Sequence, residues 1–429
     1  MPRYTLIGNE LSLFTGKART YMQWKGIPFN MMLPSEEIYK TIILPHAGIA
    51  MIPVLLIHDD VSSPRQFRAI QDTKEIMDFF EETYVPRARS ADLLPTPMQH
   101  SVIPQNANHA FAAHLFELLA DEWLVTQAMY WRWYQPHLAK QRSFLATEFG
   151  NSRGGVNPLK DQHAAGETAM QRFAGFTPGL GVSSKTSPAL EWQFRELLRL
   201  MERHFNDFPF LLGNTVSLAD FAFWGPFGPH LGRDPVPSFI IKTEAPAVWE
   251  WIERVDSGYR WAGHRMASGH ECNASYGTSK PHAPRLEETE VPKTSTNILE
   301  FLLADYAPIL LATVNRTIQY IEQKGSRRTT LPRTFGEDEY MLAFDTRKVK
   351  GSRRIYTPAV WELDRMLVRL FSTPTQREKQ MLWLKSACGE RTVGIFEQAA
   401  KRWLGTGQHI ERERGKLVAV AAVGVEVKL

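Results

Sequence analysis

The first 84 residues alternate apolar runs and helical spacing in an order that few folds accept: strand, helix, strand, a connection, then strand, strand, helix. Residues 4–8 (YTLIG) are a short run with β character, and residues 15–25 carry helical spacing through Ala18, Tyr21, Met22 and Trp24. Gly26 stands where a helix ends in a left-handed residue. Residues 27–33 read as a second strand. Residues 52–57 (IPVLLI) read as a third, opening at a proline, which a strand tolerates at its first residue. Residues 67–70 read as a fourth. Residues 72–84 (DTKEIMDFFEETY) place Ile76, Phe79 and Phe80 on one helical face. The proline-rich stretch 86–104 then reads as a linker.

At 429 residues the chain exceeds one ordinary core, so two or three domains are expected. Residues 105–265 are dominated by helical patterns. Phe111, Leu115, Leu118, Leu119 and Trp123 mark one long helix, and Leu190, Phe194, Leu197, Leu198 and Met201 mark another, with loops at 150–155 and 175–187. Residues 266–296 are polar and poor in large apolar side chains, which reads as a linker. Residues 297–429 read as an additional α+β unit. A helix is expected near 297–323, a hairpin across 339–357 with its turn at Gly351, and helices near 358–371 and 376–403. Thr357-Pro358 supplies an N-cap and a first-turn proline. Val360, Leu363, Leu367, Leu370 and Phe371 form a stripe that must be buried. The β-branched tail 418–427 is expected to add a strand to the hairpin.

Apolar residues make up 43% and charged residues 22%, which describes a globular chain. The net charge of +4 makes no electrostatic case for nucleic acid or an acidic membrane. Arg327-Arg328 and the run from Arg347 to Arg354 lack a nucleic-acid motif and read as a solvated hairpin surface. The two cysteines, Cys272 and Cys388, point to a reducing compartment, so a cytoplasmic location is expected. No secretory pattern opens the chain, and no apolar run is read as reaching the ~18 residues that span a bilayer.

Three features of the first domain bear on chemistry. Ser12 lies between the first strand and the first helix, where backbone N–H groups and the helix dipole stabilise an anion such as a thiolate. Its hydroxyl can add a charge-assisted hydrogen bond, although a loop serine taken alone is more often a helix cap. Ile52-Pro53 opens the third strand. Although most such bonds are trans, Pro53 is expected to be cis, which would turn the Ile52 backbone outward to an open groove beside Ser12 and Asp72, where a peptide-like ligand could pair with it. Asp72-Thr73 opens the last helix, where a carboxylate and a hydroxyl suit a ligand with ammonium and carboxylate groups, or simply cap the helix. His109, His114 and His137 have no acids placed to complete a metal set. Tyr130, Trp131, Trp133 and Tyr134 form an aromatic cluster that reads as core packing.

The running order of strand, Ser-containing turn, Lys-Ala-Arg helix, Lys-Gly-Ile-Pro-Phe, Ile-Pro-Val-Leu and Asp-Thr-Lys-Glu-Ile resembles the N-terminal domain of glutathione transferases. Residues 210–223, with Leu-Leu-Gly ahead of Ser217 and Asp220, resemble the capping-box helix of that family's helical domain. Physically, Ser217 caps the helix and Asp220 reaches back to it. Residues 249–254 (WEWIER) resemble its closing helix.

The resemblance covers about the first 265 residues. It implies a thioredoxin-like glutathione-binding domain at 1–86 and a helical domain at 100–265, with the linker and α+β extension beyond. It also implies a glutathione thiolate attacking a small hydrophobic electrophile, and a homodimer. Ser12 falls at the catalytic position of the serine-type classes. Ile52-Pro53 falls where the backbone meets the cysteinyl part of glutathione, and Asp72-Thr73 where the γ-glutamyl end is held. A free thiol near pKa ~8.5 must be lowered to react at neutral pH. The chain departs from the family in having Asp72-Thr73 for the usual Gln or Glu followed by Ser. It also has Met51 where a glycyl-carboxylate partner usually stands. Those departures motivate the alternative of a non-catalytic scaffold or interaction protein, as metaxin-like proteins are.

Overall fold

The computed structural model describes residues 3–59, 66–84, 101–152, 159–261, 290–371 and 373–421. Most of the expected linkers at 86–104 and 266–296, Cys272 and the tail beyond residue 421 lie outside the described residues. The chain divides into two compact units. One comprises residues 1–103, 131–175 and 202–285; the other comprises residues 104–130, 176–201 and 286–429.

The first unit is built on a four-stranded sheet in the order β2-β1-β3-β4. Its strands are β1 (Tyr4–Ile7), β2 (Phe29–Met32), β3 (Val54–His58) and β4 (Phe67–Gln71). β1 pairs parallel with β2 and antiparallel with β3, and β3 pairs antiparallel with β4. Every residue of β1 and β3 is buried, which explains why both read as unbroken apolar runs. The strand order and the flanking helices make this part thioredoxin-like.

The Leu13–Trp24 and Thr73–Thr83 helices are joined by Tyr21, whose hydroxyl donates to Glu81 at 2.7 Å. Gly26 ends the first of them at φ 63°. Gly8 leaves β1 so close to that helix that a Cβ there would lie 2.3 Å from the Thr15 side chain. Residues 34–51, read only as a connection, form short helical segments between Glu36 and Ala47. Their Ile43 and Ala47 bury against Ile7, Val54 and Leu56.

The helical part of this unit includes Gln135–Asn151, Leu159–Ala174, Leu218–Pro226, Pro235–Glu244 and Pro246–Trp261. The Leu218–Pro226 helix is buried on all sides and opens with the capping box read from Ser217 and Asp220. Fully buried Asp220 accepts from the N–H groups of Leu211 (2.9 Å) and Ser217 (3.0 Å), from Trp251 Nε1 (3.1 Å) and from Ser217 Oγ (3.2 Å). Burial pushes its carboxyl up to about 6 against the pull of those four donors.

The second unit centres on the Lys293–Lys324 helix. That helix begins within the stretch read as linker. It contains an 18-residue window of mean hydropathy 1.5, so by length and composition it could cross a membrane, contrary to the sequence reading; 61% of that window is buried inside the protein. Its Tyr306 packs on Trp123, with ring centroids 6.1 Å apart. Phe111 meets Phe371 at 5.3 Å. Residues 107–133 are the expected long helix, with a π turn at Ala120–Leu124.

Beyond residue 290 the region is α+β, with four details differing from the sequence reading. The hairpin of β6 (Thr334–Phe344) and β7 (Arg347–Tyr356) turns at Asp345-Thr346, where Asp345 takes φ 56°. Gly351 instead lies within β7 opposite Tyr340, where a Cβ would come within 2.6 Å of the tyrosine ring. The tail strand β9 (Lys416–Ala421) joins β5 (Arg328–Thr330) and β8 (Gln408–Glu413) in a separate sheet of order β5-β9-β8, not the hairpin. The helix expected at 376–403 is two, Pro374–Cys388 and Glu390–Leu404, broken at Gly389 with φ 81°. Arg353, read with its neighbours as solvated, is 4% exposed over the Trp123 ring, because strand alternation turns it inward with Ile355.

Candidate functional site

The sheet register gathers the candidate residues at one end of the thioredoxin-like layer. Ile7 of β1 pairs with Val54 of β3, and Val54 pairs with Gln71 of β4. Pro53 precedes Val54 and Asp72 follows Gln71, so the two continue adjacent strands past the last ladder rung. Ser12 lies five residues beyond Ile7, at the start of the next helix. All belong to the first unit.

Ser12 is the N-cap of the Leu13–Trp24 helix, and its Oγ accepts from the Thr15 N–H at 3.2 Å. The structural role weighed from sequence is therefore real, yet it uses only an acceptor lone pair. The hydroxyl proton still has to be donated somewhere. The Ser12 carbonyl takes up the Gly16 N–H. Neither Ser12 group takes up the Leu13 or Phe14 N–H. A hydroxyl and two first-turn amides at a helix N-terminus form a place for an anion.

The Ile52–Pro53 bond is cis, and Ile52 enters neither strand register. Met51 donates its own N–H to the Ile49 carbonyl.

Asp72 caps the Thr73–Thr83 helix by accepting from the Lys74 N–H at 3.0 Å, with φ 92° and ψ 138°. Thr73 is 1% exposed. A non-glycine residue held at such a φ costs about 1–3 kcal/mol and marks a place where the surrounding structure overrules local preference. Asp72→Gly is therefore expected to be about 1–2 kcal/mol more stable than Asp72→Ala, because only the former removes the Cβ that conflicts with this backbone. Chemical denaturation of the two variants checks this; equal stabilities would mean that the backbone relaxes.

The residues missed from sequence lie behind Ser12. Arg132 and Asp234 are each 1% exposed and form a bidentate pair, Nε to Oδ2 at 2.7 Å and Nη2 to Oδ1 at 2.8 Å. Burial raises the Asp234 carboxyl, and the guanidinium opposes that. Arg132 also donates from Nη1 to the Leu11 carbonyl at 2.9 Å and from Nη2 to the Pro229 carbonyl at 2.6 Å. The available signal was a single arginine inside an aromatic run, Trp131-Arg132-Trp133. Asp234 was hidden because Asp before Pro235 reads as a helix cap; its carboxylate pairs with Arg132 and makes no capping bond.

Tyr130, Trp131 and Trp133 are buried. Trp131 lies against His137 at 4.4 Å and Trp133 against Phe149 at 5.3 Å. His114 faces Glu117 at 3.4 Å. Among the described residues no group of three or more His, Cys, Asp or Glu is placed to hold a metal.

Comparison with known families matches residues 6–88 to the glutathione S-transferase N-terminal domain and residues 189–254 to the glutathione S-transferase C-terminal domain. No curated protein matches the chain. Among solved structures, FzlA from C. crescentus is 16% identical over 67% of this chain and 98% of its own, with a TM-score of 0.35. A glutathione S-transferase from Methylobacillus flagellatus with glutathione bound is 16% identical over 60% of this chain and 98% of its own, with a TM-score of 0.34. One from Methylobacterium radiotolerans in complex with glutathione sulfonate is 17% identical over 60% and 94%, with a TM-score of 0.33.

Proposed function

Since the chain is a member of the glutathione S-transferase superfamily, carrying both of its domains, we propose that it binds glutathione at the Ser12 end of the sheet and transfers it to a hydrophobic electrophile. The observation that carries this reading is Ser12 itself. As N-cap it accepts from Thr15, which holds the oxygen in place, and its proton remains to be given to a thiolate sulfur.

A hydrogen bond to the charged form lowers the thiol pKa, and the first-turn amides and helix dipole act in the same direction. The thiolate then attacks the electrophilic carbon. A carbon–sulfur bond forms as the leaving group departs with its electron pair, or as an activated double bond accepts the pair and is then protonated. In this reading the Ile52 backbone pairs with the cysteinyl segment, while Asp72 and Thr73 hold the γ-glutamyl ammonium and carboxylate. Met51 contributes contact area where a glycyl carboxylate would otherwise find a donor. The reading carries with it a homodimer and a cytoplasmic location.

Met51 and the shorter Asp72 favour a second reading, a glutathione-transferase-fold scaffold without turnover. A conjugation assay with glutathione and 1-chloro-2,4-dinitrobenzene separates the two. Enzyme-dependent product supports transfer, and bound glutathione without product supports the scaffold.

A further inference from the structure

The ion pair of Arg132 with Asp234 raises a physical question. A buried pair of this kind is often replaceable by apolar side chains without loss of stability, so stability alone does not account for it. What an apolar pair would lose is the remaining work of the guanidinium, its bonds to the carbonyls of Leu11 and Pro229. The Leu11 carbonyl shares a peptide plane with the Ser12 N–H. Among the described residues that N–H is otherwise held by the Asn9 carbonyl at 3.3 Å. Fixing the plane fixes the rotation at which the Ser12 side chain leaves the loop.

We propose that Arg132, oriented by Asp234, is a positioning residue that sets the Ser12 hydroxyl for its work on an anion. This rests on the thiolate-activating reading of Ser12. Five hydrogen bonds immobilise the clamp. Asp234 grips the guanidinium by two bonds along one edge. Gln141 Nε2 donates to the carbonyls of Trp131 (2.9 Å) and Arg132 (3.3 Å), and Gln141 Oε1 accepts from the Val236 N–H at 3.2 Å. One side chain thus ties the backbone under Arg132 to the segment that carries Asp234.

The charge of Arg132 is neutralised by Asp234 in place, so the contribution is geometric. Lysine would keep the charge and lose the fork, since one ammonium cannot serve two carboxylate oxygens and the Leu11 carbonyl in this planar arrangement.

The test is the double variant Arg132→Met with Asp234→Leu in the full chain. It removes the clamp without leaving a buried charge. With glutathione and the dinitrobenzene substrate, kcat is expected to fall at least about ten-fold, the scale on which small misplacements act, while KM for glutathione stays within about three-fold. The kcat/KM profile should move to higher pH, as it does when a thiolate loses its donor. In a Ser12→Ala background the same double variant should cost nothing further, because the clamp acts through Ser12.

Amide hydrogen exchange of the free protein provides a readout that needs no turnover. The Thr15 N–H, bonded to Ser12 Oγ, should exchange faster in the double variant, while the amides of β3 are unchanged. Unchanged Thr15 exchange, or a loss of kcat that persists in the Ser12→Ala background, would overturn the positioning role. Wild-type protein without turnover would instead contradict transfer, and the exchange result would still decide the clamp. If the double variant does not fold, Arg132→Lys is read by the same exchange measurement.

Discussion

Asp220→Ala is expected to destabilise the first unit by on the order of 4 kcal/mol, a large share of the about 5–15 kcal/mol that holds an ordinary domain folded. The carboxylate is the shared acceptor for the N–H groups of Leu211 and Ser217 and for the Trp251 indole, all in a region closed to water. Removing it leaves three buried donors, each costing about 1–3 kcal/mol. It also removes the Asp220 half of the capping box from a helix whose every face is packed. The effect has a pH signature. The folded carboxyl titrates near 6, above the ordinary aspartate value of 3.8. A raised folded pKa contributes stability that is complete below the unfolded pKa and is lost as pH rises through the folded one. Wild type therefore gains from this group as pH falls from 7.5 to 5, and the variant does not, so the gap between them should widen toward pH 5. Denaturation of both proteins at the two pH values measures it. A gap of less than about 1 kcal/mol at both would mean that the donors find other acceptors.

Ser12→Ala is expected to lower turnover with a generic electrophile by about one to three orders of magnitude while glutathione affinity changes little. That split belongs to a group that stabilises the thiolate rather than the bound tripeptide. The substitution also removes a helix cap, which costs about 1 kcal/mol of stability. Turnover must therefore be measured where the variant is fully folded, so that lost cap and lost chemistry are not confused. Ser12→Thr serves as the control, since it keeps both cap and hydroxyl and should retain most of the turnover. Equal activity in the alanine variant would remove the hydroxyl from the mechanism and leave the Leu13 and Phe14 amides as activators.

What was legible in the sequence was local. The four strands of the thioredoxin-like layer, the stop at Gly26 and the Ser217–Asp220 box each follow from neighbours within a few residues, and the structure has them within one or two positions. What was not legible depends on contacts distant in sequence. Nothing near Gly351 reveals that Tyr340 lies over it, so a glycine that makes room for a ring reads as a turn. Nothing near Lys416–Ala421 shows that this strand prefers β5 and β8 to the hairpin, since β-branched residues suit either sheet. The same holds at the site. Ser12, Pro53 and Asp72 each stand out in a local pattern. Arg132 reaches Leu11 across 121 positions and Asp234 across 102, and neither bond leaves a periodic trace.

The claim on which the functional reading turns is that the Ser12 end of the sheet binds glutathione. Calorimetric titration of the full chain with reduced glutathione tests it most directly, with ophthalmic acid, the analogue lacking a thiol, as the second titrant. The account predicts saturable binding of both at pH 7.5, weakened for both by Asp72→Ala. Absence of saturable heat with either titrant, from protein shown to be folded, would contradict it.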